Sequence, residues 1–190
     1  MKRCEWAENQ PKFYQDYHDK EWGIPQHKDK LLFELLILEG AQAGLSWITI
    51  LKKRNNYKKA FNNFNPKIIS QYNEEKVQEL LQNEGIVRNK LKIRSTIQNA
   101  KVFLQIQKEF KSFNNYIWSF TNNKQIINYP KTIKEIPTKT LLSDQISKDL
   151  KKRGMSFVGT TIIYSYLQAI GVINDHAIDC FKSKVTKTNK

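Results

Sequence analysis

The segment 29–38 constrains this chain most. It carries leucines or Phe33 at positions 31, 32, 33, 35, 36 and 38, the spacing of a helix with a broad buried face. Glu39 ends that apolar stretch, and Gly40 and Gly44 follow to loosen the backbone. The remainder reads as helix almost throughout. Ser46 is placed to cap a second helix with apolar positions Trp47, Ile50, Leu51, Tyr57 and Phe61. Asn65-Pro66 has the cap-then-proline order of a helix start. Asn73-Glu74-Glu75 opens another helix, with acids where the helix dipole favours them. That helix stops near Asn83, with Gly85 as its terminator. A long helix then runs to about Lys108, and a shorter one holds Phe113, Ile117, Trp118 and Phe120. The stretch 121–140, with Pro130 and Pro137, reads as a long loop. Ser143-Asp144 is placed to cap a helix ending in Lys151-Lys152-Arg153, and 160–169 forms the last apolar helix. No sustained strand alternation, repeat or heptad occurs, so the expected class is all-α.

A chain of 190 residues fits one domain, or one domain with a small lobe, and can bury a core without disulfides. The expected division is a single domain over 1–182 and a basic, disordered tail over 183–190. No run approaches the roughly 18 apolar residues of a membrane helix. Met1-Lys2-Arg3 leads into Cys4, Glu5 and Trp6 rather than a secretory stretch, so the expectation is an intracellular protein with no membrane partner. The formal charge of +14 favours a polyanionic partner such as nucleic acid. Of the 32 basic residues 27 are lysine, and asparagine and isoleucine are also abundant, so an AT-rich genome accounts for part of the surplus as readily.

Cys4 and Cys180 stand near opposite ends of the chain, and a reducing cytosol disfavours a disulfide between them. His176 and Cys180 are four apart, which on a helix puts both on one face. Cys4 and His18 offer a second pair, and two sulfurs with two imidazoles suit a closed, tetrahedral, structural zinc site. The same spacing also arises by chance among ordinary core residues. His27 sits in a polar stretch and reads as solvated.

Aromatic residues cluster early: Trp6, Phe13, Tyr14, Tyr17, Trp22 and Trp47. Glu39 lies among them in an apolar setting, where a carboxylate is costly to bury without a partner. An aromatic box with an acid at its floor suits a flat, cationic or electron-poor ring. The alternative is a plain aromatic core in which Glu39 caps a helix or pairs with a lysine. Further on, 80–90 reads as helix, tight turn and helix. A turn feeding a helix N-terminus exposes backbone N–H groups that hold a phosphate, and Arg88, Lys90, Lys92 and Arg94 add charge beside it. A simple packing joint has the same pattern.

Five stretches, taken together, resemble the bacterial DNA-3-methyladenine glycosylase I family, a branch of the helix-hairpin-helix glycosylases. They are Cys4-Glu5-Trp6, Tyr17-His18-Asp19-Lys20-Glu21-Trp22-Gly23, Leu38-Glu39-Gly40-Ala41-Gln42-Ala43-Gly44-Leu45-Ser46-Trp47, Gly85-Ile86-Val87-Arg88, and Phe157-Val158-Gly159-Thr160-Thr161 running on to Asn174-Asp175-His176. The resemblance implies a helix-hairpin-helix glycosylase fold whose ends are joined by structural zinc on Cys4, His18, His176 and Cys180. It implies that Glu39 recognises the methylated adenine and is the catalytic candidate, that Tyr17 and Trp47 sandwich the base, and that Trp6, Tyr14, Trp22 and Ser165 line the same pocket. Leu45 falls on the residue that wedges into the DNA stack, and Gly85, Ile86, Val87, Arg88 and Lys90 fall on the DNA-binding hairpin. The implied activity is base excision repair. A monomeric, monofunctional enzyme in the bacterial cytoplasm, associated with the nucleoid through its DNA, flips 3-methyladenine out of double-stranded DNA, hydrolyses its N-glycosidic bond and leaves an abasic site. Many enzymes of the superfamily place an aspartate shortly after the hairpin; none stands between positions 85 and 143 here, as in the family.

Overall fold

The computed structural model describes residues 1–183, so the expected tail lies outside the described residues except for Ser183, which is buried (2 % exposed). Nine α-helices are present among those residues: α1 Lys12–Lys20, α2 Asp29–Gln42, α3 Trp47–Ala60, α4 Pro66–Ile69, α5 Glu74–Gln82, α6 Lys90–Phe110, α7 Phe113–Ser119, α8 Leu141–Lys152 and α9 Thr160–Ala169. The fold is mostly helical, as the apolar periodicity requires.

α2 is the central element. Every residue from 32 to 41 is buried, and the helix packs against α3, α6, α7 and α9 at once. A helix that is apolar nearly all round has no solvent face to offer, so it must be sheathed in this way. It also runs four residues further than its apolar run suggests, through Glu39 and Gly40 to Gln42. Gly40 does not loosen the backbone. A Cβ there would lie 3.2 Å from the carbonyl oxygen and 3.3 Å from the Cβ of Phe157, so the glycine permits a close approach by the loop before α9.

One other boundary and the role of one glycine differ from expectation. Thr140, not Ser143, caps α8; its hydroxyl accepts from the Ser143 amide while the Ser143 hydroxyl accepts from the Thr140 amide, a capping box. Gly85 lies in the α5–α6 connection but not as a left-handed terminator: a Cβ would meet Asn56 and Asn83 at 2.9 Å, so close packing against α3 demands it.

The loop 121–140 is not wholly irregular. Ile126–Ile127 (β1) pairs in parallel with Ile173–Asn174 (β2), in the register Ile126 to Ile173 and Ile127 to Asn174. A single 3-10 turn at Ile133–Glu135 follows. This short ladder lies beside the chain ends. There the Phe181 amide donates to the Lys2 carbonyl at 2.9 Å, Ala177 donates to the Cys4 sulfur at 3.4 Å, and Lys2 pairs with Asp179. The N- and C-terminal segments are thus brought together. No helix among the described residues is long and apolar enough to cross a membrane.

Candidate active site

Around the C-terminal half of α2 several elements leave a hollow of about 350 Å³. The 3-10 turn Glu5–Ala7 supplies Trp6, α1 supplies Tyr14 and Tyr17, and the turn after α1 supplies Trp22. The first residue of α3 is Trp47, and α9 contributes Ser165. Glu39 lines the same space. All seven residues expected to line a base pocket therefore surround one cavity. Four more were not foreseen: Gln42, Gln168, Ile133 and Ile136. Helical spacing would have found the first two, because Gln42 is three residues past Glu39 on α2 and Gln168 three past Ser165 on α9. The isoleucines carry no such signal, since they reach the site only through the path of the loop 121–140.

Size alone does not select this hollow. One of about 650 Å³ lies between Asp29, residues 62–68 and Phe103. Its carboxylate, Asp29, already accepts from Gln107 and from the amides of Phe113 and Asn114.

Glu39 has no such partners. It is 3 % exposed, and its carboxyl makes no hydrogen bond or ion pair among the described residues. Burial alone pushes its pKa up from the ordinary 4.5 to about 8. Five residues earlier on the same helix, Glu34 is buried as deeply but accepts from Arg54 at 2.6 Å and pairs with Lys58 at 3.2 Å. Arg54 also holds Glu21 at 2.7 Å, tying α3 to the turn after α1. The structural role open to a buried acid, pairing with a cation, thus falls to Glu34. The walls feel Glu39 too: the Tyr14 and Tyr17 hydroxyls are raised, first by burial and then by the Glu39 charge.

Tyr17 and Trp47, the pair expected to stack on the base, lie against each other. The centroids of Tyr17 and Trp47 are 5.4 Å apart with planes tilted by 56°. A flat ring between two others needs parallel faces about 7 Å apart, two van der Waals separations. The two rings touch each other instead. Trp6 packs edge-on against Tyr14 at 5.4 Å and against Trp22 at 5.0 Å. The indole nitrogen of Trp47 is buried with no hydrogen-bond partner among the described residues.

A second hollow of about 230 Å³ shares Glu39, Gln42 and Ser165 with the first and opens past Ala43, Gly44 and Leu45. Leu45, at the turn between α2 and α3, is 41 % exposed. Leu45 thus stands at the rim of a hollow that also reaches Glu39. Lys92 holds that turn from below. Its ammonium donates to the carbonyls of Ala41 at 2.8 Å and Ala43 at 2.6 Å, capping the C-terminal end of α2. The sequence suggests Lys92 as a free charge beside the hairpin, but its contacts with α2 exclude that role.

In the α5–α6 connection, Ile86 is a core residue and the Val87 amide donates to the Tyr57 hydroxyl at 3.1 Å. The amides of Arg88, Lys90 and Leu91 are left without partners among the described residues. Arg88, Lys90 and Arg94 are about half exposed, and Glu84 and Glu74 face them at 3.5, 3.5 and 2.7 Å.

On the other side of Trp6 and Trp22, the ligand atoms of Cys4, His18 and Cys180 lie within 4.8 Å of one another and can hold a metal ion. Residues 176–180 are not helical, with only a turn at 178–179, so the helical-spacing rationale for His176 and Cys180 does not hold. His176 is nonetheless adjacent, its ring centroid 4.9 Å from that of His18. Its Nδ1 is held by the Asn174 amide oxygen at 2.8 Å, while its Nε2 is buried with no partner among the described residues. His18 is oriented likewise, Nδ1 against Asp19 at 2.8 Å, and Asp19 is clamped by Arg3 through both oxygens. Holding Nδ1 turns the His18 Nε2 toward the cysteines, 3.5 Å from the Cys180 sulfur and accepting from the Cys4 amide at 3.3 Å, the orientation a metal ligand needs. The remaining histidine, His27, is exposed as expected and meets Asn114 at 2.8 Å.

A hollow walled by indoles and phenols and floored by one unpaired carboxyl, with an exposed leucine at the rim of the adjoining space, defines a protein suited to take in a flat, electron-poor ring. The chain belongs to the methyladenine glycosylase family, whose model matches residues 6–183. It is 48 % identical over 180 residues to DNA-3-methyladenine glycosylase 1 of Escherichia coli, covering 95 % of this chain and 96 % of that one. Among solved structures it is similar to a 3-methyladenine DNA glycosylase I (TM-score 0.93, 47 % identity, 96 % and 100 % of the two chains). It is also similar to the Staphylococcus aureus 3-methyladenine DNA glycosylase I whose structure addresses 3-methyladenine recognition (TM-score 0.91, 35 % identity, 94 % and 95 %).

Proposed function

We propose that this protein removes 3-methyladenine from DNA by hydrolysing its N-glycosidic bond, the first step of base excision repair. The observation that carries this reading is the bare Glu39 carboxyl inside a box of Trp6, Tyr14, Tyr17, Trp22 and Trp47, in a chain similar to 3-methyladenine glycosylases over nearly its whole length.

The chemistry follows from the lesion. Methylation at N3 leaves the nucleotide's purine ring positively charged. A cationic ring is attracted to the faces of the aromatic walls, each contact worth about 0.5–2 kcal/mol. It also favours the ionised form of Glu39, so the carboxyl gives up its proton to water as the ring enters and then accepts hydrogen bonds from the adenine edge. The glycosidic C1′–N9 bond breaks with its electron pair passing to the ring, which becomes neutral. Water forms the new bond to C1′ and releases its proton to solvent. No group with the role of the missing post-hairpin aspartate is needed for so good a leaving group. The Tyr17–Trp47 pair has to part by roughly 2 Å, toward two van der Waals gaps, for a base to stack between them.

Reaching the bond requires flipping the base from the duplex. Leu45 fills the space it vacates, and the free amides of Arg88, Lys90 and Leu91 at the start of α6 take a backbone phosphate in helix-hairpin-helix fashion. Cys4, His18, His176 and Cys180 would hold zinc, which as a four-ligand closed site ties the two chain ends together and takes no part in the chemistry. The protein works as a monomer on duplex DNA in the bacterial cytoplasm.

The direct test is release of free 3-methyladenine from methylated duplex DNA in a single-turnover assay; a protein that binds such DNA yet releases no base is not a glycosylase. The hairpin is tested separately. Arg88→Ala is expected to weaken binding to undamaged DNA and to lower the slope of log affinity against log salt by about 1, one phosphate contact. An unchanged slope in a fluorescence-anisotropy titration removes Arg88 from the interface.

A further inference from the structure

The hollow contains an acceptor whose orientation is locked. Gln168 is 8 % exposed and lies on α9 one turn from Ser165, facing the cavity that Glu39 enters from α2. Its amide nitrogen donates to Asp175 at 2.6 Å. Asp175 also accepts from the Tyr164 hydroxyl at 2.6 Å and from the Asn128 amide at 2.7 Å. A carboxylate only accepts, so the NH2 end of Gln168 must face it; reversing the amide would set oxygen against oxygen. The carbonyl end is therefore the end left to the cavity, and it has no partner among the described residues.

We infer that the Gln168 side-chain carbonyl, oriented by Asp175, determines specificity by accepting a hydrogen bond from the exocyclic amino group of the flipped base. The inference rests on the base-pocket reading above. An adenine amino group has two hydrogens, and two acceptors on different helices, Glu39 on α2 and Gln168 on α9, match them. A purine with a carbonyl at that ring position places oxygen against both acceptors. A pocket with unpaired buried polar groups rejects such a ligand far more strongly than one that only loses a methyl contact. 3-Methylguanine carries the same methyl and charge as 3-methyladenine but has that carbonyl, so Gln168 selects between the two lesions that methylation at N3 creates.

Gln168→Met keeps the length of the side chain and removes the acceptor. The expected result is a fall of at least about tenfold in the ratio of kcat/KM for 3-methyladenine over 3-methylguanine, measured by base release from methylated DNA. A ratio equal to wild type overturns the proposal. Should the variant not fold, the wild-type protein still decides. The Gln168 side-chain amide resonances are expected to shift when free 3-methyladenine is added to saturation. Unmoved resonances, with binding verified by quenching of tryptophan fluorescence, overturn it. A wild-type protein that neither binds nor releases the base refutes the pocket itself, and Gln168 with it.

Discussion

Glu39→Gln is expected to lower kcat/KM for 3-methyladenine release by at least about a hundredfold while making the folded protein more stable. Both effects have one origin, a buried carboxyl with no partner. The loss of rate reflects the lost charge complement to a cationic ring, which in a dry site is worth more than an ordinary hydrogen bond. The gain in stability reflects linkage. In the folded protein Glu39 titrates near 8 rather than 4.5, so between those values the folded state holds a proton that the unfolded chain has released. Stability is therefore intact below about pH 4.5, falls as pH rises through the window, and levels off above about 8. Each pH unit crossed inside that window costs about 1.4 kcal/mol, so the penalty reaches several kcal/mol at the upper end. Glutamine carries no such penalty. At about 2–4 °C per kcal/mol for a chain of this size, the variant should melt about 10–20 °C above wild type at pH 8 and within a few degrees of it at pH 5. The kcat/KM of the wild-type protein should rise with pH toward a plateau near 8, and the variant's residual rate should not. Calorimetry showing the same Tm difference at both pH values would refute the bare-acid account, and undiminished base release would remove Glu39 from the mechanism.

Cys180→Ser is expected to abolish stoichiometric zinc in the purified protein and to lower Tm by more than about 10 °C. The sulfur lies where the two chain ends meet, within 4.8 Å of the other ligand atoms of its cluster, and a closed zinc site contributes folding energy directly. Base release should fall as well, although the Cys4–His18–Cys180 cluster and Glu39 are separate sites. His18 lies on the same short helix as Tyr14 and Tyr17, so loosening that helix disturbs the cavity wall. Metal content by mass spectrometry and a melt of the same sample check this together. Wild-type protein that is free of zinc yet fully stable would end the metal proposal.

Most of the helical frame is legible because its signals are local: apolar residues three and four apart, Asn65 before Pro66, Asn73 before two acids. The site is legible in its residue types, since an acid in an apolar helix and tryptophans crowded toward one end stand out in any chain. Its geometry is not. Glu34 and Glu39 look alike in sequence, and only the fold pairs one with Arg54 and leaves the other bare. Gly40 and Gly85 suggest conformational freedom in the sequence, yet each is a point of close approach, Gly40 to Phe157 and Gly85 to Asn56, 117 and 29 positions away. Ile133 and Ile136 are invisible as site residues because a loop's course over the surface has no periodicity to read. His176 comes beside His18 without the helix that its spacing to Cys180 suggests. The parting of Tyr17 and Trp47 that stacking requires depends on a ligand, which no sequence encodes directly.

Lys92 joins two parts of the molecule that serve opposite ends of the task. It stands in the first turn of α6, next to the amides proposed to grip phosphate, and it holds the end of α2 from which Leu45 projects. On the proposed reading, in which those amides grip a phosphate and Leu45 is the wedge, this strut acts as a ruler: it would set one interval between the held phosphate and the point where the leucine enters the stack.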